Sequence, residues 1–125
     1  MTDRYASESL GALRIMTSAL FLVHGTTKLL AWPFRPVGGK VEIASLMGAA
    51  GALEMIGGLL VLIGLGSRPV ALVLAGEMAV AYFMSHATQG FWPMRNGGEL
   101  AIMFCFAFLA IAGMGPGAWS IDGKK

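Results

Sequence analysis

Residues 43–88 read "IASLMGAAGALEMIGGLLVLIGLGSRPVALVLAGEMAVAYFMSHAT", and this stretch decides the fold class. It contains two apolar runs, at about 43–65 and 70–88, which are separated only by the segment "GSRP" at 66–69. A helix needs about 17–25 mostly apolar residues to cross the hydrocarbon core of a bilayer. Pro69 suits the first turn of a helix, because its missing N–H would have no partner there. We therefore predict two transmembrane helices joined by a tight antiparallel hairpin.

Two further apolar runs lie on either side of this hairpin, at about 10–32 and 97–114. The connection "PFRPVGGKVE" at 33–42 contains two prolines and two glycines, which break helices. The connection "QGFWPMRN" at 89–96 combines aromatic residues with an arginine, as is typical of a membrane interface. The sequence thus predicts an all-α integral membrane protein, with residues 1–125 forming one antiparallel bundle of four transmembrane helices.

The composition supports a membrane protein and excludes several other classes. Hydrophobic residues make up 56% of the chain and charged residues 13%, whereas a soluble domain has about 25% charged residues. The net charge of +2, without a dense Lys/Arg run, gives no indication of nucleic-acid binding. The single cysteine, Cys105, excludes an internal disulfide and a CxxC redox pair. The start "MTDRYASESLGALRI" lacks the basic region of a signal peptide, so we expect the first apolar run to remain as an anchor.

The distribution of basic residues predicts the orientation in the plasma membrane. Four crossings place both termini on the same side as the 66–69 turn. That side has the larger number of basic residues, namely Arg4, Arg68, Lys124 and Lys125 against Arg35, Lys40 and Arg95. Because cytoplasmic loops carry the excess of Lys and Arg, we expect a multi-pass protein with cytoplasmic termini.

Ionisable side chains inside the apolar runs are the most informative residues of the chain. Charged groups are costly in lipid, so they normally face the interior of a bundle and mark functional sites. When the four runs are laid antiparallel, all but one of these groups fall in the same half of the membrane. The group at common depth comprises His24, Lys28, Glu54, Glu77, His86 and Glu99, and Arg14 lies toward the other end.

Helical spacing refines this group into a predicted polar chamber. His24 and Lys28 are four residues apart and therefore neighbours on one helix face. Small residues surround Glu54 on its own face, which leaves room for a partner or a ligand. We predict that Lys28 and Glu54 interact electrostatically, and that a ligand binds among these side chains. The predicted chamber residues are His24, Lys28, Glu54, Glu77, Asn96 and Glu99.

Several of these residues also have purely structural interpretations. Glu99 is favoured at the N-terminus of a helix by the helix dipole, and Asn96 can cap the first turn. Lys28 can extend its ammonium group to the surface, in which case Glu54 needs another partner. Two residues are weaker candidates for the chamber. Arg14 is expected to be a surface anchor, and His86 lies nine residues after Glu77, about 180° away on an ideal helix.

A metal or haem site is an alternative interpretation of the histidines. His24 and His86 could supply two axial ligands, or could join Glu54 in a carboxylate–histidine site. However, the Glu-x-x-His motif of di-iron bundles does not occur in the sequence. We therefore predict neither a metal site nor an intrinsic cofactor.

Three segments together resemble the DoxX family of small four-helix membrane proteins from bacteria and archaea. They are "LRIMTSALFLVHGTTKL" (13–29), "GALEMIGGLLVLIGLGSRPVAL" (51–72) and "GEMAVAYFMSHATQGFWPMRNGGELAIMF" (76–104). The most specific motifs are H-G-x-x-K at 24–28, E-x-x-G-G at 54–58 and "NGGE" at 96–99. The resemblance extends over roughly residues 10–113 and implies the four-helix fold.

For function, the resemblance implies an association with membrane redox complexes. The founding member of the family is the small membrane subunit of an archaeal thiosulfate:quinone oxidoreductase. We therefore expect a membrane subunit of a quinone-linked oxidoreductase, with quinone or a similar lipophilic molecule in the chamber and other membrane subunits as partners. The alternative is a non-catalytic subunit that stabilises a larger membrane complex, and a third hypothesis is a small transporter or lipid-binding protein. The sequence leaves open whether the chain itself takes part in catalysis.

Overall fold

The computed structural model describes residues 3–30, 32 and 45–123 of the 125-residue chain. All regular secondary structure within these ranges is helical, which confirms the predicted all-α class. Helix α1 is Asp3–Leu30, α2 is Leu46–Ile63 and α3 is Ser67–Ala81. A π-helical turn, Tyr82–His86, and a 3₁₀ turn, Ala87–Gln89, continue α3. The short α4, Pro93–Asn96, then precedes α5, Glu99–Met114.

Two helical stretches are long and apolar enough to cross a membrane. These are Tyr5–Leu30 and Ser67–Gln89, the second of which includes the π and 3₁₀ turns. Gly48–Ile63 and Glu99–Met114 are shorter apolar helices. The predicted loops at 33–42 and the terminal lysines lie outside the described residues.

The predicted tight connection between the second and third runs is confirmed, with only three residues between α2 and α3. Gly64 ends α2 in the left-handed conformation, at φ 77°, and its N–H bonds back to the carbonyls of Leu60 and Val61. Gly66 is also left-handed, at φ 63°, a conformation that glycine adopts without steric cost. The N–H of Ser67 then donates to Asp122 Oδ2 at 3.0 Å, which satisfies one free donor at the start of α3.

The helices pack chiefly as two pairs, α1 with α2 and α3 with α5. In the first pair the backbones approach closely at glycines. A Cβ added at Gly25 would lie only 2.7 Å from the backbone nitrogen of Met55. One added at Gly51 would lie 3.0 Å from the Cβ of Lys28. Small residues allow this kind of contact between helices, and here they bring Lys28 alongside α2.

The two pairs meet around a small aromatic core. Phe21 of α1 contacts Phe104 and Phe108 of α5 edge-on, with ring centroids 5.2 and 4.8 Å apart. Phe21 and Phe108 are almost fully buried. Edge-to-face aromatic contacts are directional, so this cluster fixes how the α1–α2 pair is placed against the α3–α5 pair.

Arg14 is fully buried, and the prediction that it is a surface anchor is wrong. Its guanidinium donates to the carbonyl of Pro116, to that of Ala118 at 2.9 Å and to that of Trp119 at 2.8 Å. The chain after α5 folds back across the end of the helices, where the N–H of Ala118 also bonds to the carbonyl of Ser7. Arginine fits this position because its planar head carries five N–H donors.

We predict that Arg14→Met lowers stability by about 3 kcal/mol, because it removes charge-assisted hydrogen bonds and leaves partly buried carbonyls without donors. The midpoint of thermal unfolding in detergent measures the loss. Arg68→Met is the matched control, since Arg68 also donates to a carbonyl, that of Gly113 at 2.7 Å, but is exposed. Equal losses in the two variants would contradict a special role for the buried arginine.

Candidate ligand-binding cavity

A cavity of about 440 Å³ lies between the two helix pairs. Its α1–α2 wall contains three of the predicted chamber residues, His24, Lys28 and Glu54, together with Phe21 and Ala50. The opposite wall is formed by α3 with its π turn and by the beginning of α5. That wall is mostly apolar, and its polar side chains are Glu77, Ser85 and His86. The cavity is therefore polar on one side and apolar over most of the other.

Lys28 and Glu54 form a close ion pair in the cavity wall. Lys28 Nζ lies 2.9 Å from Glu54 Oε1 and 2.7 Å from Oε2, so it donates to both carboxylate oxygens. The Glu54 side chain is 1% exposed and that of Lys28 is 21% exposed. A buried carboxylate is costly unless a partner compensates it, and here one ammonium group does so. Lys28 thus pairs with Glu54 and does not extend away to the surface.

Glu77 faces the same cavity from α3. Its carboxyl group interacts electrostatically with Glu54 and with Lys28. Its Oε1 atom is buried and has no hydrogen-bond partner among the described residues. The cavity therefore contains two carboxyl groups and one ammonium group, and one carboxyl oxygen is left unsatisfied.

The two histidines line the cavity from different helices. The ring of His24 packs edge-on against Phe104 at 5.6 Å. His86 Nδ1 lies 3.2 Å from the backbone carbonyl of Asn96. The objection that His86 and Glu77 point in opposite directions assumed an ideal α-helix, and it does not hold here. In the π turn the N–H of Ala87 bonds to the carbonyl of Tyr82, five residues back, and this wider turn changes the direction of the following side chains.

Asn96 and Glu99 lie near the cavity in sequence and depth but do not line it. The Asn96 amide donates to the Tyr82 hydroxyl at 3.1 Å and to the carbonyl of Gly90 at 2.9 Å. Its oxygen accepts from the N–H of Gly98 at 2.8 Å, so the side chain holds the turn before α5. Glu99 is exposed in the first turn of α5, where the helix dipole favours a carboxylate. Their structural interpretations account for both residues.

Three residues that build this end of the site were not among the predicted site residues. Ser85 lines the cavity, and Tyr82 accepts the hydrogen bond from Asn96. Gly98 packs against the Tyr82 ring so closely that a Cβ there would lie 2.4 Å from Cε1. The "NGG" motif was the available signal, since two successive glycines indicate a close approach by another group.

Metal-ligand side chains do not cluster in the part of the chain that the structure describes. No group of three or more His, Cys, Asp or Glu residues there could hold a metal ion. Cys105 is free and only partly buried.

Comparisons with known proteins identify bacterial relatives, two of which are named as membrane proteins. The DoxX family model matches residues 9–87. An uncharacterized protein of Haemophilus influenzae is 38% identical, over 98% of this chain and 94% of its own length. Inner membrane protein YqjF of Escherichia coli is 32% identical, over 92% of both chains. An uncharacterized membrane protein of Mycobacterium tuberculosis is 25% identical, over 88% of this chain and 77% of its own. No solved structure matches the chain.

We predict that Lys28 and Glu54 are energetically coupled. Lys28→Met leaves the Glu54 carboxylate buried without a counter-charge, whereas Lys28→Met combined with Glu54→Gln removes both charges. Breaking one side of a buried pair typically costs about 3–5 kcal/mol, and polar couplings measured in membranes are smaller. We therefore expect a coupling of about 3 kcal/mol or less, with the double variant more stable than the sum of the single losses implies.

A double-mutant cycle on detergent stability measures this coupling. Lys28→Met combined with Arg68→Met is the control pair, because distant substitutions without shared partners are usually additive. Strict additivity for Lys28 and Glu54 as well would contradict the coupling.

Proposed function

Because the chain belongs to the DoxX family of membrane proteins, we propose that it is an integral membrane subunit of a quinone-linked oxidoreductase. In this proposal the cavity between the two helix pairs binds a quinone or a similar lipophilic molecule. The observation that carries the proposal is the combination, in one cavity, of a buried ion pair and an otherwise apolar lining.

The size and lining of the cavity fit a lipophilic molecule with a polar head. Ligand sites are usually about 300–1,000 Å³, mostly apolar, with a few well-placed polar groups. This cavity of about 440 Å³ has Lys28, Glu54 and Glu77 near one another and apolar residues such as Met78 and Phe104 around them. The polar groups would orient the head of the ligand, and the apolar residues would hold its ring.

Access from the membrane is the second supporting feature. Val80, Met84 and Leu100 line the cavity and are also 50–58% exposed on the outer surface of the helices. When these helices span a bilayer, those side chains face the lipid tails. A lipophilic molecule can then enter the cavity laterally from the membrane, without passing through water.

The titratable groups in the cavity suit the proton transfers of quinone chemistry. Reduction of a quinone by two electrons consumes two protons, which nearby carboxyl and imidazole groups can relay. Glu77, His24 and His86 line the cavity and could serve in this way. Lys28 has three N–H donors, two of which Glu54 occupies, so one is left for a ligand.

The electron donor in this proposal belongs to a partner protein. Iron–sulfur clusters are usually held by four cysteine thiolates, and this sequence contains one cysteine. The other membrane or membrane-associated subunits of the complex would therefore supply electrons to the bound quinone.

A non-catalytic assembly subunit is the second candidate, and the ion pair itself favours it. Lys28 and Glu54 satisfy each other, as expected of a pair that only fixes the packing of α1 on α2. Purification in mild detergent separates the two functions. A quinone that copurifies supports ligand binding, whereas an empty protein held tightly in a multisubunit complex supports assembly.

We also propose that α1, α2, α3 with its continuation, and α5 all cross the membrane, with both termini in the cytoplasm. Contacts at one end of the helices support this arrangement. The N–H of Ala118 bonds to the carbonyl of Ser7 at 3.0 Å, and that of Ile121 bonds to Ile63 at 3.1 Å. The beginning of α1, the α2–α3 turn and the segment after α5 thus lie together.

This topology predicts the locations of two reporters. A reporter fused after Lys125 should be cytoplasmic, and one inserted between α1 and α2 should be on the opposite side of the membrane. Paired activity assays with a periplasmic and a cytoplasmic reporter measure both locations. Reporters in the same compartment would be incompatible with four crossings.

Quinone binding predicts an increase in thermal stability, because a ligand that binds only the folded state stabilises it. A short-tailed benzoquinone at about 100 times its Kd should stabilise the detergent-solubilised protein by about 2.7 kcal/mol. Lys28→Met and Glu54→Gln should each abolish the increase. Arg95→Gln is the control, because Arg95 is exposed and does not line the cavity. No increase with quinones of several tail lengths would favour the assembly function.

A further inference from the structure

The cavity lies nearer to one end of the helices than to the other. Lys28 is two residues before the end of α1, and Ser85 and His86 are four and three residues before the end of the helix that continues α3. At a rise of about 1.5 Å per residue, all three lie within about 6 Å of the helix ends. Gly97, which precedes α5, lines the cavity at the same end. We call this the distal end, and the end that carries the segment after α5 the terminal end.

The polar groups of the cavity are partly exposed at the distal end. The Lys28 side chain is 21% exposed although it pairs with Glu54, and Ser85 is exposed. Polar side chains near the end of a membrane helix reach the hydrated interface. From there His24, Glu54 and Glu77 continue the polar lining inward. The cavity therefore offers water a series of hydrogen-bonding groups that begins at the distal end.

Tight apolar packing separates the cavity from the terminal end. Phe21 lines the cavity nine residues before the end of α1, at a depth of about 14 Å, and packs edge-on against Phe108 at 4.8 Å. Phe108 and Leu74 are 0% exposed. A Cβ added at Gly57 would lie 2.9 Å from Leu74 Cδ2, so α2 and α3 also approach closely at this level. The inner side of the cavity is thus apolar and closed.

Beyond this packing, hydrogen bonds to the backbone hold the terminal end closed. The buried guanidinium of Arg14 donates to three carbonyls of the segment after α5, and the buried Ser18 hydroxyl donates to the carbonyl of Arg14 at 2.6 Å. A Cβ added at Gly11 would lie 2.6 Å from the carbonyl oxygen of Ala118, so the segment lies directly on α1. Arg14 Nε and Ser67 Oγ, which have no partner among the described residues, are also closed to solvent.

We propose that the cavity exchanges water and protons with one side of the membrane only, the side opposite the two termini. Water enters at Lys28, Ser85 and His86, and the path ends at Phe21. The cavity is then a half-channel, and this aqueous path is separate from the lateral path for a lipophilic ligand. One consequence rests on the proposed function. A bound quinone that accepts two electrons from a partner's donor would take its two protons from the side opposite the termini.

The test measures which side of the membrane can reach a thiol in the cavity. The sequence contains one cysteine, so Cys105→Ala gives a background without thiols. In that background Ala81→Cys places a thiol in the cavity wall, eight residues and about 12 Å before the end of the helix. Right-side-out and inverted vesicles containing the full chain are treated with a membrane-impermeant cationic methanethiosulfonate. A maleimide-linked polymer then counts the unmodified thiols on a denaturing gel.

We expect the Ala81→Cys variant to be modified only from the side opposite the termini, as located by a reporter fused after Lys125. Phe83→Cys is the control, because Phe83 is 68% exposed, does not line the cavity and is two residues nearer the helix end. The thiolate is the reactive form, so a thiol among lipid tails should remain unmodified. Ala50→Cys lines the opposite wall and should be modified from the same side, which keeps the test usable if Ala81→Cys does not fold.

Each other outcome overturns the proposal in a recognisable way. Modification of the Ala81→Cys variant from the terminal side, or equally from both sides, contradicts one-sided access. No modification from either side shows that water does not enter, and it leaves the lateral path and the proposed function intact. Equal modification of the Phe83→Cys variant shows that the cavity is not the route. The proposed function fails independently, when no quinone raises the thermal stability.

Discussion

The burial of the Glu54 carboxylate is the constraint on which the rest of the site depends. Glu54 lies in an apolar helix and is 1% exposed, so its charge must be balanced from inside the protein. Lys28 can do this only if α1 approaches α2 at van der Waals distance. Gly25 and Gly51 make that approach possible, because a side chain at either position would meet the other helix. The Lys28–Glu54 ion pair and the close packing of α1 on α2 therefore depend on each other.

The opposite end of the molecule buries a cation in a different way. Arg14 has no carboxylate partner among its described contacts and instead donates to backbone carbonyls of the segment after α5. Carbonyl groups compensate the guanidinium charge without adding an ionisable group. The segment after α5 can therefore pack stably over this end of the helices. At the Lys28 end the compensating group is a carboxylate beside a second carboxyl group and an open cavity. The segment after α5 closes the Arg14 end, whereas the Lys28 end retains polar groups that line a cavity.

The sequence predicted the parts of the structure that depend on depth and charge. The positions of Lys28 and Glu54 along their helices place opposite charges at similar depth, and their pairing could be predicted for that reason. Depth alone did not show that Asn96 and Glu99 lie outside the cavity, because the depth of a residue does not reveal the direction of its side chain. The side chain of Asn96 bonds to Tyr82, Gly90 and Gly98, and that of Glu99 is exposed.

Other features depend on interactions that leave no clear pattern in the sequence. His86 reaches the cavity because of a π turn, and such a turn results from a change of hydrogen-bond partner that periodicity does not encode. Arg14 was placed at the surface because an arginine near a helix end usually lies there. Its partners are backbone carbonyls about 100 residues away, and a carbonyl is present whatever the residue type.

The contrast between Glu54 and Glu77 indicates how the cavity can bind a ligand without disturbing the fold. A ligand that takes a hydrogen bond from Lys28 at the expense of Glu54 weakens the contact that holds α1 on α2. A ligand that interacts with Glu77 leaves that contact intact, because Glu77 is not a member of the Lys28–Glu54 ion pair. The ion pair can thus serve as the fixed wall of the cavity while a ligand interacts with Glu77.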